Sequence, residues 1–211
     1  MTDQQARRLR GVYAITDSKL LGGKRLLPAV EEALAGGVSL VQYRNKSADS
    51  SVRLGEATSL QALCSKFGAM LLINDDIELC LAAGAAGVHL GQSDTSLVQA
   101  RRTLGPDAII GITCHNRDEL VIKAEQEGAS YIALGRFFPS ETKPDAPAAN
   151  LNDLRRVRQL TTLPIVAIGG VTADNGDALL ELGADMLAVI HYLFAKPDVK
   201  KRAEALARLF A

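Results

Sequence analysis

Tryptophan is absent, and aromatic residues make up only 4% of the 211-residue chain. That scarcity argues against an aromatic-rich sandwich and against a platform on which the bases of single-stranded nucleic acid would stack. Net charge is missing too, since 24 Lys and Arg balance 24 Asp and Glu. The chain therefore carries neither the basic footprint of a general nucleic-acid binder nor a polybasic membrane anchor, and an anionic partner must be met locally. Cysteine is sparse. Cys64, Cys80 and Cys114 form no CxxC pair and no histidine stands at metal spacing from them, so a reducing compartment is expected. Apolar runs such as Ala69 to Ile73 fall far short of the roughly 20 residues that span a bilayer. Residues 1–10 hold no apolar stretch of a secretory signal and are read as a polar extension of one domain covering 1–211. The expected location is the cytoplasm.

What is abundant is small and aliphatic: 47% of residues are apolar and 18 are glycine, a mixture suited to parallel strands and helices packed in layers. A short β-branched run, a polar or glycine turn and a longer amphipathic stretch recur eight times. The expected strands are Val12 to Thr16, Leu40 to Arg44, Met70 to Asn74, Gly87 to Leu90, Ile109 to Thr113, Tyr131 to Leu134, Ile165 to Ile168 and Met186 to Ile190. Helices are expected to begin near Leu27, Ser51, Asp76, Ser96, Asn116, Asn150, Ala173 and Pro197. Phrases such as Ala83-Gly84-Ala85 and Glu127-Gly128-Ala129 supply a glycine where a helix stops in the left-handed conformation before a buried strand. A doubly wound open sheet alternates in the same way, but it commonly has five or six strands and a glycine-rich turn after the first. Here Asp17-Ser18-Lys19 follows the first strand. The pattern predicts a single-domain (β/α)8 TIM barrel, with the segment 137–150 as a long loop and the expected lid.

Such a barrel carries its chemistry at the C-terminal ends of its strands. Asp75 and Asp94 end neighbouring strands and are expected to hold Mg2+, with water and a substrate phosphate completing the shell. Asp76 is better read as a helix N-cap. Gln42, Arg44 and Lys46 alternate along one strand and should face the interior, with Val41 and Tyr43 packed outward. Together with Lys143 these cations suit an anion of high charge, such as a pyrophosphate. Gly169-Gly170 after the seventh strand and the turn after the eighth form the usual monophosphate position of these barrels. His89 is expected to be a satisfied core histidine. Cys114 and His115 point to opposite sides of an extended chain, and no GxSxG, P-loop, GxGxxG or HExxH motif occurs, so no general base is assigned.

Taken in order, Gln42-Tyr43-Arg44-Asn45-Lys46, Ile73-Asn74-Asp75-Asp76, Gly87-Val88-His89-Leu90-Gly91-Gln92-Ser93-Asp94, Ser140-Glu141-Thr142-Lys143 and Ile168-Gly169-Gly170 resemble the signature of the thiamine-phosphate synthase family. The resemblance implies coupling of hydroxymethylpyrimidine pyrophosphate with a thiazole phosphate, releasing pyrophosphate and giving thiamine phosphate. It implies that Gln42 through Lys46 and Asn74 bind the pyrimidine pyrophosphate, that Asp75 and Asp94 hold Mg2+, and that Thr113 and Lys143 contact the leaving group. Ser140, Glu141, Thr142, Gly170, Ile190 and His191 would surround the thiazole phosphate, with Gly169 beside them. Arg44, Lys46, Thr113 and Lys143 would carry a dissociative mechanism that needs no base. The family usually has Ser where Thr113 stands, Pro where Arg136 stands and Val-Ser where Ile190-His191 stands. A thiazole tautomerase and a non-catalytic regulator of the same fold are the alternatives, and a phosphosugar epimerase a more distant one. The expected partners are small phosphorylated substrates, with no nucleic acid and no membrane, and homo-oligomerisation stays open.

Overall fold

The computed structural model describes residues 9–46, 49–141 and 147–211. Eight parallel strands, β1 (Gly11–Ile15), β2 (Val38–Tyr43), β3 (Met70–Asn74), β4 (Gly87–Leu90), β5 (Ile109–His115), β6 (Tyr131–Leu134), β7 (Ile165–Ile168) and β8 (Met186–Val189), follow one another in chain order. They close because β1 pairs with β8 as well as with β2, which makes the (β/α)8 barrel expected from the repeat. The helices between and after them are α1 (Leu26–Ala35), α2 (Ser50–Lys66), α3 (Ile77–Ala83), α4 (Leu97–Leu104), α5 (Asp118–Gln126), α6 (Leu151–Leu160), α7 (Gly176–Glu181), α8 (His191–Phe194) and α9 (Val199–Ala207). Among the described residues no helix is long and apolar enough to cross a membrane.

The strand period of two sorts each strand's side chains between two cores. Val12, Val41, Leu71, Val88, Ile110, Ile132, Ala167 and Leu187 face outward and merge with the inner faces of the helices in the larger cluster. Tyr13, Leu40, Leu72, Ile109, Tyr131, Val166 and Met186 point inward and fill the barrel axis. Leu9, inside the segment read as a polar extension, is 1% exposed and joins that inner cluster next to the first strand. Residues 1–8 of that segment lie outside the described residues.

Local chemistry sets the boundaries. Asp49, Asp76 and Ser96 cap α2, α3 and α4 by accepting from the N–H groups of Val52, Leu79 and Gln99. Asn150 and Asp153 form a reciprocal capping box on α6. At the other end of α3, Gly84 adopts φ 65°, the left-handed stop anticipated from its Ala-Gly-Ala setting. Two arginines tie the loops that enter the barrel from its N-terminal end. Arg101 donates to the carbonyls of Gly105, Pro106, Ala108 and Gly128, and Arg158 to those of Thr161, Leu163 and Gly183 and to the Asp185 carboxylate. The opposite rim is left to carry the chemistry.

Candidate active site

A cavity of about 780 Å³ opens at the C-terminal ends of the strands. Gln42, Arg44, Lys46, Asn74, Asp75, Asp94, Thr113, Ser140, Glu141, Gly169, Gly170, Ile190 and His191 all line it. Tyr43 and Asn45 do not join them. They occupy the alternate positions of β2 and its extension, and the Tyr43 hydroxyl donates to Glu56 Oε2 at 2.5 Å while Asn45 Nδ2 donates to the same oxygen at 3.0 Å. Both side chains are thus turned toward α2 and line a smaller recess beside the cavity. Burial, with Glu56 adding to it, pushes the Tyr43 phenol far above its ordinary pKa. Thr142 and Lys143 lie outside the described residues.

Asp75 is placed by an unusual backbone. Its φ is 64°, a left-handed conformation that aspartate tolerates better than most residues, and its N–H donates to the His89 carbonyl at 2.9 Å. That turn separates two adjacent acids by role: Asp76 swings out to cap α3 and pair with Arg53, while Asp75 stays over the cavity. Lys46 Nζ sits 2.9 Å from Asp75 Oδ2, and Asn74 Nδ2 donates to the same oxygen at 2.5 Å. Asp94 accepts from the Gly91 N–H at 2.6 Å and shares a hydrogen bond with Asp75. Burial alone would raise Asp75, but the hydrogen bonds from Asp94 and Lys46 and the lysine's charge outweigh it and hold the carboxyl below its usual value. Burial and the facing Asp75 push Asp94 the other way, upward. Two carboxyl groups side by side on the rim are oxygen donors that could hold a divalent cation. No group of three or more His, Cys, Asp and Glu suited to a metal occurs among the described residues. The donor set is therefore two hard oxygens, which suits Mg2+ completed by water and phosphate better than a closed Zn2+ site.

The far side of the mouth is built on close backbone approach. At Gly170, with φ 63°, a Cβ would stand 2.4 Å from the Pro139 carbonyl oxygen, so only glycine lets the loop after β6 lie against the loop after β7. The Phe137 and Phe138 N–H groups bind that loop through the carbonyls of Ile168 and Gly169. Above it, His191 Nε2 meets Glu141 Oε2 at 3.0 Å. The helix expected to begin near Ala173 begins at Gly176, and the short α8, which starts at His191, adds His191 and Tyr192 to the cavity wall.

Several lining residues were not singled out from the sequence. Lys196 and Arg202 bring two more cations to the β8 side, and Arg202 stacks over the Tyr192 ring at 5.2 Å. In sequence Lys196 reads as an ordinary helix-flanking charge and Arg202 as an ordinary charge within a helix. His89, expected in the core, instead lines the cavity floor, with Nδ1 2.9 Å from the Tyr131 hydroxyl and Nε2 3.0 Å from Thr113 Oγ1.

An eight-stranded parallel barrel whose rim sets cations beside a carboxylate pair defines a (β/α)8 enzyme with a mouth built for anions. The pattern of the thiamine monophosphate synthase family matches residues 12–193, and the chain belongs to that family, a group of transferases of thiamine biosynthesis. It is similar to thiamine phosphate pyrophosphorylase from Pyrococcus furiosus, with 33% identity, 96% of each chain covered and a TM-score of 0.88. Likeness of fold alone extends to thiamine phosphate pyrophosphorylase from Bacteroides thetaiotaomicron, at 14% identity, covering 95% of this chain and 97% of that one, with a TM-score of 0.73. It also extends to (S)-3-O-geranylgeranylglyceryl phosphate synthase from Thermoplasma acidophilum, at 16% identity, covering 99% and 98%, with a TM-score of 0.74.

Proposed function

We propose that the chain couples hydroxymethylpyrimidine pyrophosphate to a thiazole phosphate, forming thiamine phosphate and releasing pyrophosphate, with Mg2+ held by Asp75 and Asp94. The observation that carries this reading is the pairing of two carboxyl groups with Lys46 and Arg44 on one side of a single cavity, and a glycine-built phosphate turn on the other. One mouth then accommodates two anions of different charge.

Bound Mg2+ supplies positive charge to the departing pyrophosphate. The remaining work falls to the chain's own groups. Lys46 and Arg44 add cationic charge beside the same oxygens, and the Thr113 hydroxyl offers a hydrogen bond to them as charge develops. Gln42, 2% exposed at the cavity floor, presents an amide to the pyrimidine end. Ile15, Ala133, Val166 and Ala188 line the same floor with apolar surface, which keeps water from the carbon that loses pyrophosphate. Across the mouth, the loop after β7 and the turn at Ile190 and His191 orient the thiazole phosphate so that its ring nitrogen meets that carbon. No step of this reaction requires a base.

Pyrophosphate release in the presence of both substrates, titrated with Mg2+, tests the reading. Asp75→Asn and Asp94→Asn should each raise the Mg2+ concentration for half-maximal rate at least about tenfold, because one of two protein oxygens loses its charge. Unchanged Mg2+ dependence in both would remove them from the metal site. A thiazole tautomerase or a non-catalytic regulator would release no pyrophosphate at any Mg2+ concentration.

A further inference from the structure

Beneath the rim, five side chains from five different strands form one hydrogen-bonded line through the barrel. Gln42 Nε2 donates to the Tyr13 hydroxyl at 2.6 Å, and Tyr13 and Tyr131 meet hydroxyl to hydroxyl at 2.9 Å. Tyr131 then meets His89 Nδ1 at 2.9 Å, and His89 Nε2 meets Thr113 Oγ1 at 3.0 Å. Tyr13 and Tyr131 are 1% and 0% exposed, and burial pushes both phenols far above their ordinary pKa, so each keeps its proton.

The first link decides the direction of all the others. An amide N–H can only donate, so the Tyr13 oxygen accepts from Gln42 and its own proton is left for Tyr131. The Tyr131 proton must then go to His89 Nδ1, which makes Nδ1 the acceptor and puts the ring proton on Nε2. Nε2 donates to Thr113 Oγ1, and the Thr113 proton is left to turn toward the cavity that this residue lines. Turning the Gln42 amide over would reverse every link and leave Thr113 an obligate donor to the histidine, with no proton for a ligand.

We propose that Gln42, Tyr13, Tyr131 and His89 form a one-way hydrogen-bond relay that presets the Thr113 hydroxyl as a donor into the cavity, and that Tyr131 and His89 are positioning residues for the departing anion. The proposal rests on the coupling reaction put forward above, in which Thr113 meets the leaving pyrophosphate. It explains why a line of polar side chains is retained along the axis of an otherwise apolar barrel, where each unsatisfied group would be costly. It also joins the pyrimidine end of the cavity, at Gln42, to the pyrophosphate end, at Thr113.

Two measurements test it. The first needs no substrate. Nitrogen-15 imidazole spectra of the intact protein, with the His89 signals assigned by their loss in His89→Gln, should show the Nε2–H tautomer. An Nδ1–H tautomer or a charged ring would overturn the relay's direction. The second is a double-mutant cycle on pyrophosphate release. Tyr131→Phe should lower kcat roughly tenfold with KM little changed, the effect of one weakened hydrogen bond in the transition state. In a Thr113→Val background the same change should cost less than about twofold, because the relay then has no hydroxyl to orient. An equal loss in both backgrounds would mean that Tyr131 serves the fold and not Thr113. Should Tyr131→Phe fail to fold, Tyr13→Phe interrupts the line one link earlier and is read in the same way. If the wild-type chain releases no pyrophosphate, the coupling reaction fails, and the tautomer still decides the relay.

Discussion

Gly111→Ala is the perturbation whose consequence can be worked most closely from the structure. Gly111 lies on β5 with His89 beside it on β4 and Tyr131 beside it on β6. A Cβ at this position would stand 1.9 Å from Tyr131 Cζ and 2.3 and 2.4 Å from its two Cε atoms. Carbon atoms pack at about 3.5–4.0 Å, so the ring must retreat by roughly 1.5 Å or more. It has nowhere to go, being fully buried, with the Tyr13 ring edge-on at 6.1 Å and the His89 ring stacked at 5.7 Å. Overpacking of a tight core costs about 1–3 kcal/mol, and the displaced hydroxyl loses two hydrogen bonds of about 1 kcal/mol each. The sum is about 3–5 kcal/mol. For a domain of this size each kcal/mol moves Tm by about 2–4 °C, so thermal unfolding should shift down by roughly 6–20 °C. The same substitution in a Tyr131→Ala background should be neutral or stabilising, since the new methyl group then enters a void. A Gly111→Ala chain melting within about 2 °C of the wild type would refute the packing described.

Other expectations separate the two ends of the barrel and the thiols within it. Arg101→Ala, far from the cavity, should destabilise the fold by about 2–4 kcal/mol in denaturant titrations, because several carbonyls lose a charged donor, while kcat stays within about twofold. A kcat loss out of proportion to stability would contradict the division of labour between the rims. Burial pushes Cys64 and Cys114 up to about 12 and Cys80 up to about 11, so none should react with a thiol reagent at neutral pH until the protein unfolds. Their folded pKa values lie above the ordinary thiol value of 9.0, so the unfolded chain sheds these protons first. Stability is therefore fully present below about pH 9 and falls as pH rises through 11 and 12, and buried Tyr13 and Tyr131 act in the same direction. A denaturation midpoint that does not change between pH 8 and pH 11 would refute this.

The strands were legible because each is a short β-branched run whose two faces are both buried, and β3, β4, β6 and β7 fall where the pattern places them. β5 extends two residues further, to His115, through a register shift at Thr113, and the polar run Thr113 to Asn116 gives no apolar cue for such a bulge. α8 has four residues, too few for a helical period to show. On the rim, the polar residues at strand ends could be read directly, and alternation correctly turned Gln42, Arg44 and Lys46 inward. The same alternation carries Tyr43 and Asn45 away from the cavity, a consequence that the contiguous motif obscures. The axial relay was hidden because a tyrosine in a strand looks like ordinary core. Gly111 offered the one available signal: a glycine inside a strand marks something approaching closely, here the Tyr131 ring.

The most direct test of the central claim is to supply the purified chain with hydroxymethylpyrimidine pyrophosphate, the thiazole phosphate and Mg2+, and to quantify both products over time. The account predicts thiamine phosphate and pyrophosphate in equal molar amounts, with the rate abolished by a chelator and restored by added Mg2+. Thiamine phosphate appearing no faster than in the absence of protein would contradict it.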